Sequence, residues 1–425
     1  MEGLKLLIKK VQVIDSNSPY NGQLADILIE GNRVTAINQI PKGTYDKLEG
    51  NGLYLSPGWI DMRVNCCEPG MEHKEDIASA CEAALHGGFC KILAMPTTLP
   101  VADNKATIQF MINAGFNKHV TLLPAGSITM KQDGKELAEM LDMKHGGAVA
   151  FTDYKNSVTD ALVMKLALTY SKNIETLIMH HPLNKSLSNH SNCINESANT
   201  MQLGFKGSPA LAEALMLQRD IELLSYTGGR LHVCGVSCKE SVEMIAQAKA
   251  RGLSITCDVC IHNLILDDSK LAEFDSNYKV NPPLRSTGDI VALIQGVNDD
   301  TIDAIVSDHS PQDIESKKVE FEFASPGMIG TQILFALYNT YLSDTISLEK
   351  FIQKITHGPS NILSLTENKL EMGQEAVFTI FQATDKWTFD AATNKSKSNN
   401  SPFINKELKG KAVAIINKGK LVRVD

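Results

Sequence analysis

Short apolar segments recur through the middle of the chain, each followed by a stretch with helical spacing. They read WIDMRVNC (59–66), CKILAMPT (90–97), VTLLPAGS (120–127), GAVAFTD (147–153), ETLIMHH (175–181), RLHVCGVS (230–237), SITCDVCI (254–261) and IDAIVSDH (302–309). Near-continuous apolar runs are what parallel strands covered on both faces require, so eight β/α units predict a closed barrel, with an open doubly wound sheet as the alternative. Two helices are legible in detail. After Glu75, residues Ile77, Ala80, Cys81, Ala84 and Leu85 fall on one face and Gly87-Gly88 supplies a stop. A second helix is predicted from a capping box at Ser237 to Glu240, through Val242, Ile245 and Ala248, to Gly252.

The flanks pattern differently. Residues 1–55 and 365–425 alternate as short strands with Gly- and Asn-containing turns, and neither could bury a core alone. The economical arrangement pairs both ends into one small β-sandwich beside a barrel spanning 56–364. The polar run from Asn394 to Ser401 reads as a surface loop, and Gly228-Gly229 as a turn.

Composition narrows the function class. The chain has 425 residues, 43% of them hydrophobic, and 41 Lys+Arg against 49 Asp+Glu, for a formal charge of −8. That balance gives no footprint for nucleic acid, and the lysine-interrupted N-terminus offers neither signal peptide nor membrane span, so a cytoplasmic protein is expected. Nine cysteines with no secretory signal read as reduced thiols. Cys66 and Cys67 are adjacent on a strand and point to opposite faces, so only one lines a pocket. Cys257 and Cys260 have a metal-like spacing, but small buried hydrophobes are the simpler reading.

In a β/α barrel the chemistry lies where the strands end. The ends here carry Arg63, Asn65 and Cys67 on the first, Thr97 on the second, Asp153 on the fourth, His180-His181 on the fifth, Gly235 on the sixth and Asp308-His309 on the eighth, with Asn281 and Gln312 on nearby loops. His232 reads as a core histidine.

The ordered set SPGWIDM, Glu-Pro-Gly (68–70), AMPTTLP, GAVAFTD, LGFKGSPALAEALMLQRD, GGRLHV, KVNPPLR and SDHSP resembles the dihydroorotases of the long bacterial type over nearly the whole chain. The resemblance implies a dinuclear zinc centre in a barrel that opens and closes a cyclic amide. Residue by residue, it makes Asp153 a bridging carboxylate, His181 a metal-ligating imidazole, Asp308 the acid/base that also touches the metal, and Asn281 a polar contact near the substrate. Three ligand positions depart from the pattern: Arg63 and Asn65 stand for two strand-one histidines and Gly235 for another. On the substrate side Cys67 replaces an arginine, Thr97 an asparagine and Gln312 a histidine, with His309 in the same pocket.

An arginine offers no lone pair and repels a dication, so no metal cofactor is expected beyond residual zinc at Asp153, His181 and Asp308. Arg63 is expected to fork between Asp153 and Asp308 in place of the missing ions. The resemblance then implies a non-catalytic homologue linked to pyrimidine biosynthesis, a structural partner of aspartate carbamoyltransferase and a homo-oligomer. The alternative is a working cyclic-amide hydrolase using Asp308 or Cys67, whose thiol Arg63 would activate. A ligand sensor using the old pocket is a third reading.

Overall fold

The computed structural model describes residues 4–188 and 193–424. Residues 1–3 and 425, parts of the two terminal segments read as strands above, lie outside it, as do 189–192. Five strands come first: β1 (Lys5–Val13), β2 (Leu24–Glu30), β3 (Arg33–Ile37), β4 (Asp46–Glu49) and β5 (Tyr54–Pro57). Eight follow in the middle: β6 (Trp59–Val64), β7 (Phe89–Ala94), β8 (Thr121–Gly126), β9 (Ala150–Phe151), β10 (Ile178–His180), β11 (Leu231–Val233), β12 (Ile255–Cys260) and β13 (Ala304–Val306). The chain finishes with β14 (Phe378–Phe389), β15 (Lys406–Asn417) and β16 (Lys420–Arg423).

Strands β6 to β13 pair in sequence order, all parallel. A parallel bridge between Val64 and His309 joins the two edges, and Asn65 N donates to His309 O at 2.9 Å. The predicted barrel is therefore closed, and the open-sheet alternative falls. Its interior is filled by Ile60, Met62, Leu93, Met179, Cys260 and Val306, while the opposite faces of the strands pack on the helices.

The terminal strands form a second sheet in the order β16-β15-β14-β5-β1-β2-β3, with β4 beside β1. Both ends of the chain thus share one hydrogen-bonded sheet, whose own core includes Ile8, Val11, Ile27, Phe378 and Ile416. Trp59 at the start of β6 links the two units: its ring centroid lies 5.2 Å from that of Phe381 on β14 and 5.1 Å from that of Phe335. Aromatic pairs at these separations add to the burial of their area.

The helix after Glu75 runs Ile77–His86 and buries the predicted face, with Asp76 capping Ser79 N and Ser79 answering Asp76 N in a capping box. The helix of Lys239–Ala250 departs from expectation. Its N-cap is Cys238 without a side-chain cap, because Ser237 Oγ is drawn to the buried Glu213 carboxylate. Lys397 and Asn399 are exposed, as a surface loop requires, but Ser398, Asn400 and Ser401 between and after them are buried, so one side of the polar run packs inward. Ser396 bonds Glu75, and Asn400 Nδ2 donates to Ser310 O and Gly327 O, both at 3.0 Å. The segment straps the barrel mouth, and the polar groups on its inward side satisfy buried backbone there.

Candidate functional site

Arg63 sits where β6 is irregular. Asp61 pairs with Ile92 and Val64 with Ala94, so three steps on β6 oppose two on β7, the mark of a bulge that can re-aim a side chain. The guanidinium is buried and turned into the barrel. Its Nη1 lies 3.3 Å from Asp258 Oδ1 and 3.5 Å from Cys260 Sγ; its Nη2 lies 2.9 Å from Asp308 Oδ1, off the line of a hydrogen bond. Asp258 also accepts from Gly235 N at 2.6 Å and meets His232 Nε2 at 3.0 Å. Burial works against the Asp258 and Asp308 carboxylates, but the cations beside them outweigh it and hold both below the ordinary carboxylate range.

Asp308, two residues past β13, has φ +50° and carries a second cation. Lys155 Nζ is 2.8 Å from its Oδ2, and Tyr154 Oη donates to its Oδ1 at 3.2 Å. Burial works against the Lys155 ammonium, yet Asp308 raises its pKa above the usual lysine value. The Tyr154 ring lies between the cations, 5.8 Å from Arg63 Cζ and 5.0 Å from Lys155 Nζ.

The expected partnership with Asp153 does not form. Its carboxylate accepts from Ile128 N at 2.8 Å, Thr129 N at 3.0 Å and the Thr129 hydroxyl, and burial raises its pKa to about 6. The backbone amides after β8 capture it, which leaves Asp258 as the second carboxylate of Arg63. His181 does face inward: Nδ1 is 3.2 Å from Cys234 O and Nε2 is 3.2 Å from Asn281 Oδ1. Burial, aided by Arg63, lowers its pKa to about 3. His180 points outward, with Nδ1 2.6 Å from Asp220.

A cavity of about 230 Å³ opens above these charges, lined by Asn65, Cys67, Thr97 and Gln312 together with Lys74 and Lys155. Four positions picked from the sequence thus meet at one mouth. His309 does not join them, because its ring is buried against Glu75, with Nε2 3.2 Å from Oε2, and accepts from Gly330 N. Nor does Arg63 reach Cys67 to activate it: burial pushes that thiol up to about 12. All nine cysteines are free and buried, and Cys66 lies in the core away from the mouth.

Asp258, Lys155 and Lys74 were not anticipated. Asp258 had a visible signal, a lone carboxylate on the inward face of an apolar strand, while Lys155 follows Asp153 by only two residues. His232, read as core, is fully buried and is also a partner of Asp258.

Two groups among the described residues have metal-compatible geometry: His232, Cys234 and Asp258, and Cys260, His262 and Asp308. Arg63 touches a carboxylate of each, so an added dication would meet a fixed positive charge. His262 has both ring nitrogens unpartnered, and burial lowers its pKa to about 4. Among the described residues, no helix is long and apolar enough to cross a membrane.

The closed barrel with a sheet built from both termini defines the architecture of cyclic amidohydrolases. L-hydantoinase from Arthrobacter aurescens superposes with a TM-score of 0.88 over 99% of this chain and 96% of its own, at 20% identity. Dihydropyrimidinase from Brevibacillus agri does so at 0.84 over 99% and 95%, also at 20% identity. At that identity the likeness concerns the fold alone. A family model described as "Dihydro-orotase-like" matches residues 52–241. The dihydroorotase of Syntrophus aciditrophicus is 36% identical over 99% of both chains, and that of Acetivibrio thermocellus 37% over 98% of both. The chain belongs to the dihydroorotase family.

Proposed function

We propose that this chain is a member of the family that lacks the dinuclear zinc centre and serves pyrimidine biosynthesis as a non-catalytic, homo-oligomeric partner of aspartate carbamoyltransferase in the cytoplasm. The observation that carries the reading is the position of Arg63. A Cβ built on Gly235 would lie 2.5 Å from Arg63 Nη1, so the guanidinium fills the space a ligand side chain there would need. Around it the donor set fits a dinuclear centre poorly: Asp153 is held by backbone amides, Nε2 of His181 is taken by Asn281, and Asp308 is taken by Arg63 and Lys155. Losing three ligands goes beyond the roughly 10–100-fold weakening that outer-shell changes cause. With no ion to polarise a carbonyl and hold hydroxide, Asp308 has no activated water to deprotonate.

The chain's own residues then keep the mouth folded. Arg63 and Lys155 neutralise Asp258 and Asp308, and the Ser396–Ser401 strap covers the rim. Mixing the pure chain with aspartate carbamoyltransferase tests the assembly role. A stable complex on size-exclusion chromatography, formed equally by the D308N variant, is expected; separate elution at micromolar concentrations counts against it.

A second reading, hydrolysis of a cyclic amide by an altered route, draws on two observations. The curated relatives matched over the full length bear the name dihydroorotase, and Asp308 still lies beneath an open cavity. Interconversion of carbamoyl-aspartate and dihydroorotate by the pure chain, lost in D308N, would favour it.

A further inference from the structure

Lys155 makes its contact from the side of Asp308 opposite Arg63. Arg63 takes Oδ1; Lys155 takes Oδ2 at 2.8 Å and continues to Ser310 Oγ at 3.2 Å. It approaches from the cavity, whose lining it shares with Lys74, and only 16% of its side chain is exposed. Tyr154, at φ +52°, fixes the arrangement by placing its ring against the ammonium and its hydroxyl 2.6 Å from Ser310 Oγ. The oxygen that an ion entering from the cavity would need is therefore already occupied by a tethered charge. A zinc ion bound to that oxygen at about 2.0–2.2 Å would be forced against the ammonium.

We propose that Lys155 is a second built-in cation, on the carboxylate oxygen that Arg63 does not take, that closes Asp308 to divalent metal and helps neutralise its charge. The inference rests on the metal-free reading above and adds a consequence: restoring the three missing imidazoles does not by itself restore a zinc site. A dication within a few ångströms of a fixed ammonium is repelled more strongly in a buried site than in water.

The test compares R63H/N65H/G235H with the same variant carrying K155A, titrating each with zinc and with cobalt, whose visible spectrum reports the ligand set. The expected result is that removing Lys155 tightens zinc binding at least about tenfold, the scale set by charge repulsion at this depth. Equal affinities would overturn the inference. Should the histidine variants not fold, a cycle on the natural chain decides: K155M lowers Tm when Asp308 is present, and leaves it unchanged or raises it in the D308N background. An equal loss in both backgrounds would refute the pairing. Stoichiometric zinc in the natural protein would defeat the metal-free reading separately, since the cycle does not depend on metal content.

Discussion

Arg63 and Gly235 share one space: Nη1 of the arginine lies 2.5 Å from where a Cβ at residue 235 would stand. The glycine also has φ +67°, which side-chain-bearing residues adopt at a cost. Both facts predict that G235A loses about 1–3 kcal/mol, from strain and from displacement of the guanidinium. Urea unfolding, compared with G252A, checks this. Gly252 has φ +79° and open space around it, so only the strain contributes there, and a smaller loss is expected.

Removing Arg63 takes the guanidinium from Asp258 and leaves Asp308 with Lys155 as its remaining tethered cation. R63M should cost about 3–5 kcal/mol, the range for breaking a buried pair by deleting one partner. R63K should recover little, because one ammonium cannot span both Asp258 and Asp308 as the guanidinium does. Denaturant midpoints of the three proteins give the ordering.

The pH dependence follows from groups of opposite sign. His181 and His262 have pKa values lowered to about 3 and about 4, so between those values and the usual imidazole value the unfolded chain binds more protons. Stability from these two rises with pH up to about 6.5 and is lost on acidification. Asp153, raised to about 6, works the other way: its contribution is present below the usual carboxylate value and is lost as pH rises through about 6. Two imidazoles outweigh one carboxyl, so stability should increase from pH 4.5 to 6.5. H262N should flatten that slope, as read from urea midpoints at each pH.

Every thiol is buried, and burial pushes Cys67 up to about 12, so the native thiols are expected to be unreactive. Thiol labelling of the native protein should proceed only as fast as it opens, with all nine groups reacting in denaturant. Rapid native modification of Cys67 would revive it as a nucleophile.

The strap across the mouth is held by Asn400, which donates to Ser310 O and Gly327 O and accepts from Gln312 N at 3.1 Å. N400A should cost about 1–3 kcal/mol by leaving buried backbone groups unpaired. It should also raise proteolytic cleavage between residues 394 and 401, read by mass spectrometry.

The barrel was legible because strands buried on both faces must be apolar along their length, and eight such runs occur. The mouth was legible at Asn65, Cys67, Thr97 and Gln312, since each follows a strand end. The charge pairing was less so. Nothing in the sequence shows that the amides of Ile128 and Thr129 capture Asp153, and the choice of Asp258 as its replacement depends on which face of β12 turns inward. The inward side of the strap was hidden for a related reason: hydrogen bonds bury polar residues without leaving any periodicity in the sequence.

Arg63 and Lys155 are two tethered cations at Asp308, the position for which the dihydroorotase resemblance implies metal contact. Zinc content and dihydroorotate turnover, measured on one gently purified preparation, test this most directly. We expect less than about one-tenth of a zinc per chain, on the order of trace occupancy, and no turnover when zinc is added. Near-stoichiometric zinc with turnover lost on chelation and regained on zinc addition would contradict it.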